Sequence, residues 1–386
     1  MGQCCDSPNN LKNNGNTALI PNLSNYEQPI STSEIPQNTT IPQNEEKNPN
    51  KFSVNPVNNN TEEDFQSIKR EESDIDRHVS IGSSVNFKES NKSFNRNSSV
   101  QLECIESFEA HDQNIVCLIE LESGKIATGS YDCTFKIWNL NPIELEREIK
   151  ENGYVLCLLE FEKNKILSGT TNNTIQLWDI EERVPKSSFS FQGHELWINC
   201  LVKCNDKIFA SCSNDTEIRI WDYYLQTCIN VLKGHSDCVL SMILLKNGKL
   251  CSGSADLTIR IWNWELGTCD EMFQAHKKWI KCVFQLTNGY IASGSDDKTI
   301  KIWNDDREIS SLIGHNHSVR SICQIDDNLL VSGSFDKTIK VWDLDSNECI
   351  QTLIGHNSNV ICVLHLKNGL LASCSNDHYV KLWKKK

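Results

Sequence analysis

The chain has 386 residues with 51 acidic against 38 basic side chains, a net charge of −13 that excludes a binder of nucleic acid or anionic membrane working through a basic surface. Its 18 cysteines are too sparse for a small disulfide scaffold. No apolar run approaches the roughly 18 residues of a membrane span and no apolar signal core opens the chain, so a soluble, acidic, cytoplasmic protein is expected.

The sequence begins Met-Gly-Gln-Cys-Cys-Asp-Ser. Gly2 is the residue that N-myristoylation requires, and the neighbouring Cys4 and Cys5 can take palmitoyl groups. Asp6 stands where Ser or Thr is usual, and Lys12 is the only nearby base. Stable attachment to a cytoplasmic membrane face would therefore need palmitoylation of Cys4 or Cys5 as its second signal. An ordinary free tail is the alternative. Residues 1–100 hold 19 Asn, seven of the nine Pro and no Trp. Such a segment has too little apolar surface to offset its ordering entropy, which predicts a disordered, Asn-rich tail. Phe65, Ile68, Ile75 and Val79 fall near helical spacing, a pattern that supports only a transient helix.

Residues 101–386 read as a repeat array. Ser293–Asn304 is SGSDDKTIKIWN, and SGSFDKTIKVWD, SGSADLTIRIWN and SCSNDTEIRIWD are among its counterparts. The closing tryptophans Trp138, Trp178, Trp221, Trp262, Trp303, Trp342 and Trp383 are separated by 39 to 43 residues. A histidine stands 17 residues before the Ser or Thr of six repeats: His111, His194, His235, His276, His315 and His356. The Ser or Thr stands four before an Asp, and the Asp six before the Trp. All length variation falls between a Trp and the next His, from 12 to 16 residues, where a surface loop must lie.

The fixed interval reads as three strands. An apolar run such as Val360–Leu366 comes first, then a turn, then a second strand and an alternating third, Thr299-Ile300-Lys301-Ile302-Trp303. Three turns carry Asn-Gly (Asn247-Gly248, Asn288-Gly289, Asn368-Gly369), a hairpin signal resting on tolerance of positive φ by both residues. A fourth strand fills the elastic interval, as at Glu348–Leu353. Four antiparallel strands recurring seven times predict an all-β, seven-bladed β-propeller over residues 101–386.

With its Gly-His pairs and closing Trp-Asp pairs (Trp178-Asp179, Trp221-Asp222, Trp342-Asp343), the array resembles the WD-repeat family. The resemblance implies that an N-terminal strand completes the last blade. Glu103-Cys104-Ile105 matches Glu348-Cys349-Ile350, and residues 101–109 are expected to supply that strand. It also implies a buried chain from Trp indole through Ser or Thr hydroxyl and His to Asp. The matched sets are His111, Thr128, Asp132 and Trp138; His194, Ser211, Asp215 and Trp221; and His235, Ser252, Asp256 and Trp262. The remaining three are His276, Ser293, Asp297 and Trp303; His315, Ser332, Asp336 and Trp342; and His356, Ser373, Asp377 and Trp383. A hydrolase triad is the rival reading of Ser, His and Asp, but an enzyme needs one such set and this chain repeats it. In the second repeat Glu151 replaces His and Asn172 replaces Asp, leaving Ser168 and Trp178. That blade is expected to be the least rigid.

Cys117, Cys157, Cys200, Cys282 and Cys362 share one position of the first strand, where the other repeats have Ser241 and Ser321. A small residue is wanted there, and free Cys behaves as a small apolar side chain. No paired CxxC spacing points to zinc, and neither metal nor cofactor is expected. So many free thiols fit a reducing compartment.

The resemblance implies protein partners, held as peptide segments across the top face around the channel mouth. Positions three and five after the His, and one before the Asp, place Trp197, Trp279, Tyr154, Lys281, Arg320, Tyr131, Asp296 and Phe335 there. Filling grooves between blades is the alternative for the two tryptophans. Lys281 and Arg320 on an acidic chain favour an acidic or phosphorylated partner segment. The expected function is a non-catalytic interaction scaffold. A ubiquitin-ligase substrate receptor, a G-protein β-like subunit, a structural subunit of a large assembly and an enzyme at the channel mouth are the alternatives.

Overall fold

A computed structural model describes residues 100–182 and 186–386. The tail, its candidate helix and the acylation residues Gly2, Cys4 and Cys5 lie outside the described residues. Among the described residues 28 strands pair into seven four-stranded antiparallel sheets. Blades 1 to 6 span residues 115–150, 155–192, 198–232, 239–274, 280–313 and 319–354. Blade 7 is composite: its three strands lie within 360–385, and Leu102–Glu109 adds the fourth.

Ring closure follows the expected register. Cys104 pairs opposite Trp383 as Cys349 pairs opposite Trp342 in blade 6. The Gln351 side chain then clips the closing strand to blade 6, accepting from Leu102 N and donating to Leu102 O, both at 2.8 Å. The added strand covers the edge of the third strand of blade 7, as the fourth strand does in every other blade.

The core lies between successive blades. Second strands are buried, as in Ile291–Ser295, with only the leading Lys165 of blade 2 partly exposed, which is why they read as nearly continuous small-and-apolar runs. Third strands alternate, with Ile300 and Ile302 buried and Lys301 turned outward. Cys282, Ile300, Ile302 and Leu312 of blade 5 pack on Val319, Ile322, Leu330 and Trp342 of blade 6, and comparable clusters fill the other interfaces. Each such buried side chain contributes about 1.5–3 kcal/mol, so the ring is held by seams rather than one centre.

Two local expectations are sharpened. At the Asn-Gly turns only the glycine takes positive φ: Gly248 at 84°, Gly289 at 93° and Gly369 at 82°. Gly248 N–H donates to Leu245 O at 2.9 Å, so the loop is a type I turn followed by a left-handed glycine. The Asn side chain accepts from Lys249 N at 3.1 Å instead of occupying the left-handed region. The small first-strand position is also more than an apolar filler. Cys157 Sγ donates to Ile198 O at 3.6 Å and Cys200 Sγ to Met242 O at 3.4 Å, each reaching the next blade. Ser241 and Ser321 accept from Val283 N and Val363 N, both at 3.1 Å. Small size lets blades approach, and the polar atom ties them.

Candidate protein-interaction face

Each top loop is built on a buried relay. In blade 5 Trp303 Nε1 donates to Ser293 Oγ at 2.7 Å, and Ser293 Oγ lies 2.7 Å from His276 Nε2. His276 Nδ1 lies 2.9 Å from Asp297. Because a carboxylate only accepts, the proton sits on Nδ1, Nε2 accepts from the serine, and the polarity runs Trp to Ser to His to Asp. The other five complete sets repeat these bonds, with His Nδ1 to Asp between 2.6 and 2.9 Å. Burial alone would raise the Asp377 carboxyl, but bonds from His356 and the Asn357 and Tyr379 amides outweigh it and hold it at about 2.

The Asp then sets the turn. Asp297 accepts from Lys277 N on the loop after the histidine, and from Thr299 N and Thr299 Oγ on the third strand. Between them Lys298 is held at φ 74°, a left-handed conformation costly for a non-glycine residue. A second buried serine, Ser295, donates to Lys278 O at 3.2 Å and accepts from Asp297 N at 3.0 Å. Neither Ser295 nor Thr299 was expected to take part. Their recurrence in the SGSDDKT pattern, as Ser254 with Thr258 and Ser334 with Thr338, was the available signal.

Blade 2 departs from the expectation of an emptied relay. Glu151 reaches the place of the imidazole: its carboxylate accepts from Trp178 Nε1 at 2.7 Å and from the Ser168 hydroxyl. Burial pushes the Glu151 carboxyl up, against the pull of those two donors. The Asn172 side chain, however, replaces none of the bonds made by the aspartates; only its backbone N bonds, to Thr170 Oγ1.

These relays bring the partner-binding candidates onto one face. In every blade the backbone N of the residue before the Asp position donates to the carbonyl three after the His position: Asp296 N to Trp279 O at 3.0 Å, Asn214 N to Trp197 O at 2.9 Å, and likewise around the ring. Trp197 and Trp279 are 43% and 48% exposed, so they do not fill inter-blade grooves. Tyr131 stacks on Tyr154 across blades 1 and 2, ring centres 4.7 Å apart. Lys281 Nζ sits 4.5 Å over the Trp279 ring and 3.4 Å from Asp296, which also accepts from the Ser318 hydroxyl. Burial lowers the Lys281 ammonium. Arg320 Nη1 donates to Lys281 O at 3.1 Å, and Phe335 is tilted against His317 at 5.8 Å.

Lys281 is therefore already matched by Asp296 and supplies little charge to a partner. The exposed bases that the sequence reading missed are Lys277, Lys278, Lys298 and Lys337, on the top loops of blades 5 and 6. Their position directly after His276, Asp297 and Asp336 was the signal. Asp112, Glu195 and Asp237 take the corresponding loops of blades 1, 3 and 4. One sector of the face is basic and the opposite sector acidic.

Comparison with known proteins fits this architecture. The family described as "WD domain, G-beta repeat" matches residues 102–139, 185–222, 226–263, 267–304, 306–343 and 347–384, more than half of the chain. The chain belongs to the WD-repeat family. The stretch between the first two matches contains Glu151, Asn172 and Trp178, so the blade that escapes the family pattern is the one with the altered relay. An F-box protein of Saccharomyces cerevisiae is 40% identical over 62 residues, 16% of this chain and 10% of its own length. The probable E3 ubiquitin ligase complex SCF subunit sconB of Emericella nidulans is 36% identical over 61 residues, 16% of this chain and 9% of its own. The chain thus spans about a tenth of the curated relatives it matches. A WD-repeat propeller is a platform for protein partners.

Proposed function

We propose that this propeller is a non-catalytic scaffold that holds a peptide segment of a partner protein across its top face. The observation that carries the reading is the half-exposure of Trp197 and Trp279, two tryptophans outside the repeat signature, on one face beside exposed lysines. Large aromatics near a guanidinium are the usual anchors of an interface. An acidic or phosphorylated stretch in the partner would lie toward Lys277, Lys278 and Arg320, and an apolar stretch toward Trp279 and Trp197. Affinity capture from native extract with Trp279→Ala/Lys278→Ala is expected to lose most of the partners recovered by the wild type; an unchanged partner list ends the reading.

The local likeness to the Saccharomyces F-box protein and to sconB favours a second reading, a substrate-recognition subunit of a ubiquitin ligase. Its mark would be ligase subunits co-purifying with the full chain and unaffected by the top-face variant. Membrane tethering through Gly2, Cys4 and Cys5, at the cytoplasmic face, is proposed from the N-terminal motif alone. Mass analysis of the N-terminal peptide tests it, and an unmodified Gly2 with unmodified Cys4 and Cys5 retires it.

A further inference from the structure

The first two strands of each blade place two small residues directly opposite one another. Five blades pair a thiol or hydroxyl with glycine: Cys117 with Gly129, Cys157 with Gly169, Ser241 with Gly253, Cys282 with Gly294 and Ser321 with Gly333. Space explains the glycine. A Cβ on Gly129 or Gly169 would lie 2.5 Å from the sulfur opposite, and one on Gly294 2.7 Å away. Blades 3 and 7 break the rule, with Cys212 opposite Cys200 and Cys374 opposite Cys362. Here two thiols face each other across the strand pair where the other blades have one thiol or hydroxyl facing a glycine. Directly opposite residues of an antiparallel pair have Cα atoms about 4.5–5.5 Å apart, within the span of a disulfide.

We propose that Cys200–Cys212 and Cys362–Cys374 are two dithiol modification sites, each converted to a disulfide by a peroxide that enters from the central channel. Cys200 and Cys362 keep partial exposure on the innermost strands, whereas Cys212 and Cys374 are fully buried. The members of each pair are chemically unequal. The facing Cys212 side chain, with help from the positive charge of Arg320, holds the Cys200 thiol below its ordinary value, while burial pushes Cys212 well above. Cys362 and Cys374 repeat the inequality. A nucleophilic sulfur thus faces a resolving one.

The thiolate of Cys200 attacks one peroxide oxygen, the O–O bond breaks, and hydroxide leaves with the thiol's proton as water. The sulfenic acid so formed is attacked by Cys212 sulfur; the S–S bond forms, the S–O bond breaks, and the Cys212 proton departs with the hydroxyl group as a second water. Two thiols are oxidised and one peroxide is reduced. Each nucleophilic thiol loses its donor role toward the next blade, Cys200 to Met242 O at 3.4 Å and Cys362 to Leu118 O at 3.8 Å. Oxidation therefore locks two strands within a blade and releases a tie between blades, in blade 7 at the ring-closing seam.

The test treats the full chain with hydrogen peroxide, denatures it in an alkylating agent and maps tryptic peptides. Lys203 and Lys207 lie between the first pair and Lys367 between the second, so trypsin separates the partners. Linked peptides for both pairs, cleaved by a thiol reductant, are expected, with Cys117, Cys157 and Cys282 alkylated as thiols. Recovery of the four paired cysteines as alkylated thiols, or links scattered over the glycine-facing cysteines, overturns the proposal. Cys212→Gly restores the arrangement of the other blades and should abolish the first link while keeping the second; Cys200 still linked to the same extent would overturn the pairing. Were that variant unfolded, the wild-type map alone decides.

Discussion

Blades 2 and 5 build the same corner from different parts. Blade 5 uses four polar side chains in series and needs the Asp297 carboxylate to hold Lys298 in a left-handed turn. Blade 2 fills the imidazole site with Glu151 and places Asn173 at the left-handed position, φ 65°. Asn adopts that conformation with little strain because its short amide bonds locally. Here it also donates to Glu195 O at 2.7 Å, reaching the neighbouring top loop. The contrast separates two jobs that the relay does at once elsewhere. One is to give the buried indole and hydroxyl an acceptor; the other is to restrain the turn. A carboxylate does the first alone, and a turn-tolerant residue removes most need for the second.

The largest expected effect comes from removing the restraint where it is needed. Asp297→Ala leaves His276 Nδ1, Lys277 N and Thr299 N without their acceptor and should destabilise by about 3 kcal/mol, since charged hydrogen bonds contribute about 1.5–3 kcal/mol and orphaned donors cost further. Asn172→Ala, at the matching position of blade 2, should stay within about 0.5 kcal/mol, because its side chain restrains nothing. Denaturant titration of both variants measures the difference; equal losses would mean that the turn is held by something other than the carboxylate.

A smaller exchange tests the left-handed position itself. Asn173→Leu should cost about 2 kcal/mol, from backbone strain and the lost bond to Glu195 O. The reverse change in blade 4, Leu257→Asn at φ 72°, should stabilise by about 0.5 kcal/mol. Thermal melts of the pair decide it, and a destabilised Leu257→Asn would show that the half-buried leucine contributes more by packing than its backbone costs.

The same contrast shows what could be read from residues alone. Tryptophans at near-constant spacing, with a His, a Ser and an Asp at constant offsets, can keep register only in repeated antiparallel sheets, so blade number and strand order were legible, and the resemblance to the WD-repeat family implied the composite last blade. Glu151 was misjudged because a pattern compares residue types, whereas the buried indole asks only for an acceptor within reach. The Asn-Gly turns do join paired antiparallel strands, but the dipeptide does not report loop length, which decides that only the glycine takes positive φ. At the candidate face the tryptophans could be placed through the positions that the resemblance to the family implies. The neutralisation of Lys281 by Asp296 could not, because it depends on two turns meeting in space.

The subtlest difference between the two corners is its dependence on pH. In blade 7 the Asp377 carboxyl is held at about 2, below its unfolded value near 3.9, so its contribution is complete above about pH 4 and is lost as pH falls toward 2. Glu151 has the opposite sign. Burial raises its folded value, so its contribution is complete below the unfolded value near 4.3 and is lost as pH rises through the folded one. Gln in its place cannot ionise and still offers a carbonyl oxygen to Trp178 and Ser168. Glu151→Gln should therefore be more stable than wild type at pH 7, with the gap closing as pH approaches 4. Parallel melts of both proteins over that interval follow the gap. A constant gap would mean that Glu151 is not titrating between the folded and unfolded chains, and that its two donors hold the carboxylate as firmly as the histidines hold the aspartates.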